Sequence, residues 1–581
     1  MATTASGKRK QQQRQAIIRL VILAAILVCV NLLAVRFHYS LDLTSEKRFT
    51  LSASTKKMLG NMNDVAVVEV YLKGKKMQPG FQRLQDAVKE RLESFRNYAG
   101  HHIVYRFTDP FEGKSEDEKG PIYQELASKG ISGVMVNKKE GEGDTRQMVF
   151  PWALVKYKGR ELPVQLLENH LGMSPLEILN YSESQLEFKL ADAIHRLAMP
   201  DKLRVAYIMG QGEALGPNTY DALSTLAANY HVDTLDLPGS LYIPNKVYNA
   251  IIINKPTQPF DEKDKYKIDQ YVVNGGHVLW YIDPIMASMD SLRTSQQFMT
   301  MEYGLNLEDM LFRYGVRVNP DLVEDMQCNQ IPVVSGMNGD GQPQYDFKSW
   351  VYFPVFTPSS HHPIVNNMDA IMGAFVSSID TIETKGQDIR KTILLQSSNY
   401  SRVTPSPARI STTMLKFQPR REMFNKPDRP VAVLLEGKFH SAFANHIDPR
   451  FLAVLRDSLK MPFKEQSDSA GKMIVISDGD MILNDFSRQN GPYEMGFWQY
   501  AQPPVRYANK SFFVNCVEYL TDNNSLLEAR TKETRLRLLD AGRAVSEQTQ
   551  WQFVNIGIPI ILVLIFGSVY FFIRKRRYEG A

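Results

Sequence analysis

Val554 to Ile573 reads VNIGIPIILVLIFGSVYFFI, twenty residues without a charge, followed at once by Arg574, Lys575, Arg576 and Arg577. At a helical rise such a run spans the hydrocarbon core of a bilayer. A basic cluster beside a span marks its cytoplasmic side. The sequence therefore predicts a transmembrane helix over 554–573 and a short basic cytoplasmic tail over 574–581. Everything before residue 554 has to be placed relative to that helix.

A second apolar run, Ala16 to Val35, follows a basic, Gln-rich tail over residues 1–15. A signal peptide has a shorter apolar region and a small-residue cleavage site. This run is longer and continues into Arg36-Phe37-His38, so it reads as an uncleaved signal anchor over 16–36. Both termini are then cytoplasmic, and the 517 residues from Phe37 to Phe553 lie outside. A bacterial periplasm fits best, with the chain in the inner membrane, because a eukaryotic lumenal domain would more often carry disulfides and glycosylation sites. Charge agrees with this topology. The first 36 residues carry +6 and the last eight +3 out of +5 overall, leaving −4 on the 537 between them. The basic ends point to acidic lipids, not to nucleic acid. Of three cysteines, Cys328 and Cys516 form no CxxC or zinc spacing, and free buried thiols are expected even though a disulfide between them is open.

With 44% hydrophobic and 23% charged residues, the ectodomain reads as globular α/β. Residues 37–200 alternate strand and helix patterns: Val65–Leu72, then Phe81, Leu84, Val88, Leu92 and Phe95 on one helical face, His101–Thr108, a short helix Ile122–Ser128, strands at Gly133–Val136 and Trp152–Tyr157, and a helix over Gln185–Leu197. The order β-α-β-α-β-β-α is that of a thioredoxin-like fold, here without CxxC and so without redox chemistry. Residues 201–525 read as a doubly wound α/β domain. Its strands are Leu203–Met209, Val232–Leu237, Val247–Asn254, His277–Ile282, Ile393–Ser397, Val431–Leu435 and Lys472–Ser477. Residues 290–377 read as an irregular insertion, and Phe451–Leu459 as a helix. Residues 526–553 form a charged juxtamembrane helix.

Few motifs carry chemistry. Gly113-Lys114-Ser115 imitates the end of a phosphate-binding loop, but Thr108 stands where the first glycine is required. Gly210, Gln211, Gly212 and Glu213 follow a strand, and are either a backbone cradle for an anion or a tight β-to-α turn. Asp478 and Asp480 lie beyond the end of another strand, where α/β folds hold ligands; they either bind a cation or serve as turn and helix-cap residues. His361-His362-Pro363 lacks a third metal ligand and reads as an exposed loop. Trp350 to Phe356 is either a binding surface or core packing. No nucleophile motif occurs, and no cofactor or metal is called for.

Several stretches together resemble the GldG family, gliding-motility-associated ABC transporter auxiliary (substrate-binding-like) proteins of Bacteroidota. They are Leu43-Thr-Ser-Glu-Lys-Arg-Phe-Thr-Leu-Ser52, Gly210-Gln-Gly-Glu213, the run from Asp261 to Gly276, Ile476-Ser-Asp-Gly-Asp-Met-Ile-Leu-Asn-Asp485, and Asn555-Ile-Gly-Ile-Pro559. The resemblance implies a non-ATPase, non-enzymatic auxiliary subunit, partnered by a separate ATPase (GldA-like) and permease (GldF-like), in a system linked to gliding and type IX secretion. It also implies an amidotransferase-like α/β domain without its nucleophile. Members of the family often have His where this chain has Gln211, which weakens a catalytic reading of that loop. A purely structural scaffold of a motility or secretion machine and an envelope hydrolase are the alternatives. Gly557, Pro559 and Gly567 are expected to let the last helix pack closely against the permease.

Overall fold

A computed structural model describes most residues between Thr50 and Thr521, those from Ser546 to Tyr578, and a few positions between Ile17 and Ile26. The expected span over 16–36, the charged segment 526–545 and the expected helix Phe451–Leu459 lie wholly or mostly outside the described residues. The chain divides into two compact units, Met1–Lys532 and Glu533–Ala581.

The N-terminal lobe of the first unit is built on four strands. These are β1 (Ala66–Val70), β2 (Ile103–Phe107), β5 (Trp152–Tyr157) and β6 (Arg160–Gln165), in the order β2-β1-β5-β6. β1 and β2 run parallel; β5 and β6 are antiparallel to their neighbours. The apolar periodicity of α2 (Pro79–Ala99) buries Leu84, Val88, Leu92 and Phe95 completely. Those side chains share a core with Val68 and Val70 of the sheet and with Leu186, Leu190 and Ile194 of α4 (Pro175–Ala198). Before them, α1 (Ala53–Gly60) is capped by Ser52, whose N–H donates to the buried Glu187 carboxylate of α4 at 2.6 Å.

Two sequence expectations change here. The short helix expected at Ile122 is α3 (Glu116–Ser128); Ser115 and Glu118 close a capping box ahead of Pro121, so the helix starts six residues earlier. The strand expected at 133–136 is one arm of a hairpin, β3 (Val134–Glu140) with β4 (Gly143–Val149), outside the four-stranded sheet. The charged sequence of β4 has no apolar alternation to signal it.

The second lobe holds a seven-stranded sheet. Its strands are β7 (Arg204–Met209), β8 (His231–Asp236), β9 (Ala250–Asn254), β10 (His277–Tyr281), β13 (Ile389–Gln396), β14 (Pro430–Gly437) and β15 (Gly471–Ile476), ordered β13-β14-β15-β10-β9-β7-β8. All of β9 is buried, because helices cover both faces. On one side α5 (Tyr220–Asn229) and α7 (Asn509–Thr521) contribute Ala222, Leu226, Phe512, Phe513 and Val517. On the other, α6 (Glu262–Val273) packs Ile268, Tyr271 and Val272 against Ile253 and Trp280. The two lobes are joined by Arg196 of α4. It pairs with Asp192 at 2.7 Å and with Glu518 of α7.

The sheet has helices on both faces but is mixed, not all parallel. β7, β8, β9, β10 and β15 are parallel, but β14 is antiparallel to both β15 and β13. An apolar run such as VAVLL is the same for either direction, so the sequence holds no arrow. Residues 290–377 are not irregular either. They contain a long antiparallel hairpin, β11 (Cys328–Met337) and β12 (Pro343–Phe356). Its outer half, from Pro343 to Ser349, is exposed on both faces and so lacks a strand's alternation. Its inner half, Trp350 to Phe353, packs into an aromatic cluster with Phe375 and Trp498, while Trp350 and Val351 also border a cavity.

The second unit contains α8 (Gln548–Tyr578), with Pro559 inside it. Gln548–Arg576 is long and apolar enough to cross a membrane, at a mean hydropathy of 2.6, and its most apolar window has no part buried.

Candidate functional site at the carboxyl ends of the parallel strands

Parallel strands deliver their carboxyl ends to one edge, so the residues just after β7, β9, β10 and β15 meet there. After β9 the chain turns at Lys255, a non-glycine residue at φ 52°. Its backbone N–H donates to Tyr281 O of β10 at 2.8 Å, which extends the ladder by one step. Its ammonium lies 3.1 Å from Asp283 beyond β10 and hydrogen-bonds Asp480 beyond β15. Asp283 Oδ1 also accepts the Gly479 N–H at 2.6 Å. A Cβ on Gly479 would come within 2.6 Å of the Lys255 Cβ, so only glycine lets the two loops close.

Asp478 is fully buried behind this pair. One oxygen accepts the Asp480 N–H and the other the Ala374 N–H, each at 2.8 Å. It caps the short 3₁₀ turn Gly479–Ile482. Burial pushes its carboxyl pKa well up, and the neighbouring Asp283 and Asp480 push it further. Asp283 is raised by burial too, with Lys255 pulling against that and Asp480 adding to it. Burial alone would lower the Lys255 ammonium; Asp283 and Asp480 outweigh it and hold the group above its ordinary value. The cation between the two acids is thus the lysine of the neighbouring strand.

The Gly210–Glu213 loop joins the same edge. Gln211 O accepts N–H bonds from both Thr257 and Gln258 at 2.9 Å, so the loop is tied to the one carrying Lys255. Gly210 and Gly212 have φ of 127° and 80°, and Cβ atoms there would lie 2.2 Å from Pro238 Cδ and Thr257 Oγ1. The Gln211 N–H, one of the donors an anion would use, is taken by Glu213 Oε2 at 2.7 Å, and Gln211 Nε2 donates to Asp264 at 2.8 Å. Burial raises the Glu213 pKa despite its backbone hydrogen bonds. Gln211 Oε1 and Glu213 Oε1 are buried and have no partner among the described residues. Asp264 is itself paired with Lys267 at 2.8 Å, so the polar groups of the loop are largely committed to one another.

Two sequence candidates, Gly210–Glu213 and Asp478/Asp480, are therefore brought together. Lys255, Asp283 and Asp264, which link them, were not singled out. The available signal was a polar residue followed by proline directly after β9 and β10, at Lys255-Pro256 and near Asp283-Pro284. His362 is half-buried, not an open loop residue: it packs edge-on against Tyr519 at 4.8 Å, and burial lowers its pKa to about 4. Cys328 and Cys516 are free thiols. Gly557, Pro559 and Gly567 all lie in α8; a Cβ on Gly567 would meet nothing within 4 Å.

The family model described as an ABC-type uncharacterized transport system matches residues 202–516, from the strand before the site to most of α7. The chain belongs to that family. It is an auxiliary component of an ABC-type transport system, which implies association with other transporter components and suggests a non-enzymatic role. A second model, a domain of unknown function, matches residues 45–156 of the N-terminal lobe. An uncharacterized protein of Borreliella burgdorferi is 19% identical over 545 residues, covering 93% of this chain and 94% of the relative. Among solved structures, the mmIFT52 N-terminal domain overlaps 55% of this chain and 97% of its own, at 13% identity and a TM-score of 0.29. A ThuA-like protein from Parabacteroides merdae overlaps 55% and 90%, at 12% identity and a TM-score of 0.25.

Proposed function

We propose that this chain is a GldG-type auxiliary subunit of a bacterial ABC transporter, held in the inner membrane by two spans with a periplasmic ectodomain. Its partners are a separate GldA-like ATPase and GldF-like permease, in a system of Bacteroidota linked to gliding motility and type IX secretion. The observation that carries the reading is the family match over residues 202–516, which contains the whole sheet and its carboxyl edge. The exposed apolar helix α8 supports membrane association.

Within that reading the ectodomain has a thioredoxin-like lobe, supported by the strand order β2-β1-β5-β6, followed by an amidotransferase-like lobe from residue 201. The edge formed by Gly210–Glu213, Lys255 and Asp478–Asp480 binds a ligand or envelope partner. Buried oxygens at Gln211 and Glu213 favour a ligand that donates hydrogen bonds. Its work is recognition, and the two spans pass the bound state to the permease.

Purification of the full-length chain from its own cells in mild detergent tests this. The ATPase and permease should co-purify in fixed ratio. Recovery of the chain without either would refute the transporter assignment and favour a free-standing scaffold.

A further inference from the structure

Between β12 and the two 3₁₀ turns Thr412–Lys416 and Arg421–Met423 lies a cavity of about 620 Å³. It is remote in sequence from the carboxyl-edge cluster. Its size falls in the range of small-molecule sites, roughly 300–1,000 Å³. The walls include Trp350, Val351, Met414, Leu415 and Phe424, an apolar and adaptable surface.

The polar groups around it share one sign. Lys348, Arg402 and Arg420 line the cavity, and among the described residues no carboxylate does. Arg402 is committed: it donates to Glu324 Oε2 at 2.9 and 2.5 Å and sits over the Phe424 ring at 5.1 Å. Lys348 is about half exposed, and its one ion-pair partner among the described residues is the equally exposed Asp346 at 3.6 Å. Arg420 is exposed and makes no ion pair with a described residue. Trp350 is 1% exposed, and its indole N–H has no acceptor among the described residues.

We propose that this cavity binds the acyl chain of an anionic amphiphile. Lys348 and Arg420 hold the charged head, and the Met414, Leu415 and Val351 walls hold the chain. The apolar helix α8 makes lipid a ligand this chain would encounter. The chemistry is shared by free fatty acids and by anionic phospholipids, and the assay separates them.

Full-length protein in peptidiscs, free of detergent, is titrated with dansyl-undecanoate. Saturable binding is expected, displaced by dodecanoate if the ligand is a free fatty acid and by dihexanoyl-phosphatidylglycerol if it is a phospholipid. Dodecanol, with no charge, should compete at least tenfold less well. Charge reversal at the two exposed cations, Lys348→Glu with Arg420→Glu, should weaken dansyl-undecanoate at least tenfold, and filling the cavity with Val351→Trp should abolish binding. The charge reversal keeps the test decisive if the core substitution does not fold. Affinity within twofold of wild type after charge reversal, equal competition by dodecanol, or no saturable binding would each overturn the proposal.

Discussion

The ammonium of Lys255 lies 3.1 Å from a carboxylate oxygen of Asp283, though the two residues leave different strands of the sheet. Asp480 holds the same ammonium from a third strand. One cation thus offsets a group of carboxylates that includes the fully buried Asp478. Lys255→Met removes it and leaves those acids facing one another. The expected loss is about 3–5 kcal/mol of stability, the usual consequence of deleting one partner of a buried pair. Urea denaturation of the full chain reads it. Adding Asp480→Asn to that variant should recover part of the loss, and an unchanged midpoint would show that the cluster is dispensable.

Acid sensitivity follows from His277. Burial lowers its pKa to about 4, with Lys472 contributing, and its Nδ1 accepts the Lys472 N–H at 3.1 Å. The unfolded chain binds this proton near pH 6.5 and the folded one only near 4, so the unfolded state holds more protons in between. Stability from this group is therefore complete above about pH 6.5 and lost as pH falls towards 4. Between pH 7 and 4.5 that loss is roughly 2 kcal/mol. His277→Gln keeps an acceptor and cannot titrate, so its stability should fall by about that much less than wild type over the same range.

Two glycines at positive φ separate backbone strain from crowding. Gly159 follows Lys158 in the β5–β6 turn, both at positive φ, and a Cβ there meets nothing within 4 Å. Gly159→Ala should cost about 1 kcal/mol, the left-handed penalty alone. At Gly210 the Cβ would also strike Pro238 at 2.2 Å. Gly210→Ala should cost about 3 kcal/mol, since crowding adds to strain. Equal thermal shifts for the two variants would mean the loop moves aside.

In α8, Gly567 leaves a bare stretch of helix surface. If that surface meets the permease, Gly567→Leu should reduce co-purified permease severalfold while the amount of this chain in the membrane stays constant. Undiminished recovery would make α8 an anchor only.

Much of the architecture was legible where one physical pattern dominated. The run from Ala250 to Ile253 is apolar because both its faces are covered, and the five buried residues of α2 repeat at helical spacing. The reversed direction of β14 was not legible, since burial is the same for parallel and antiparallel neighbours. The start of α3 was misread because Pro121 looks like a first-turn residue, while the Ser115–Glu118 box lies further back. Asp478 and Asp480 could be found from their position after a strand. Lys255 could not, because its meaning depends on an acid 225 residues away.

That separation bears on how the chain is made. β10 is complete at Tyr281, yet its neighbour β15 begins only at Gly471. Were the half-sheet β8-β7-β9-β10 to form as it is synthesised, its β10 edge would stand unpaired while nearly two hundred further residues are made, a template for pairing with other chains. The nascent protein must either delay folding of this half until Gly471 has emerged or have that edge shielded by a chaperone.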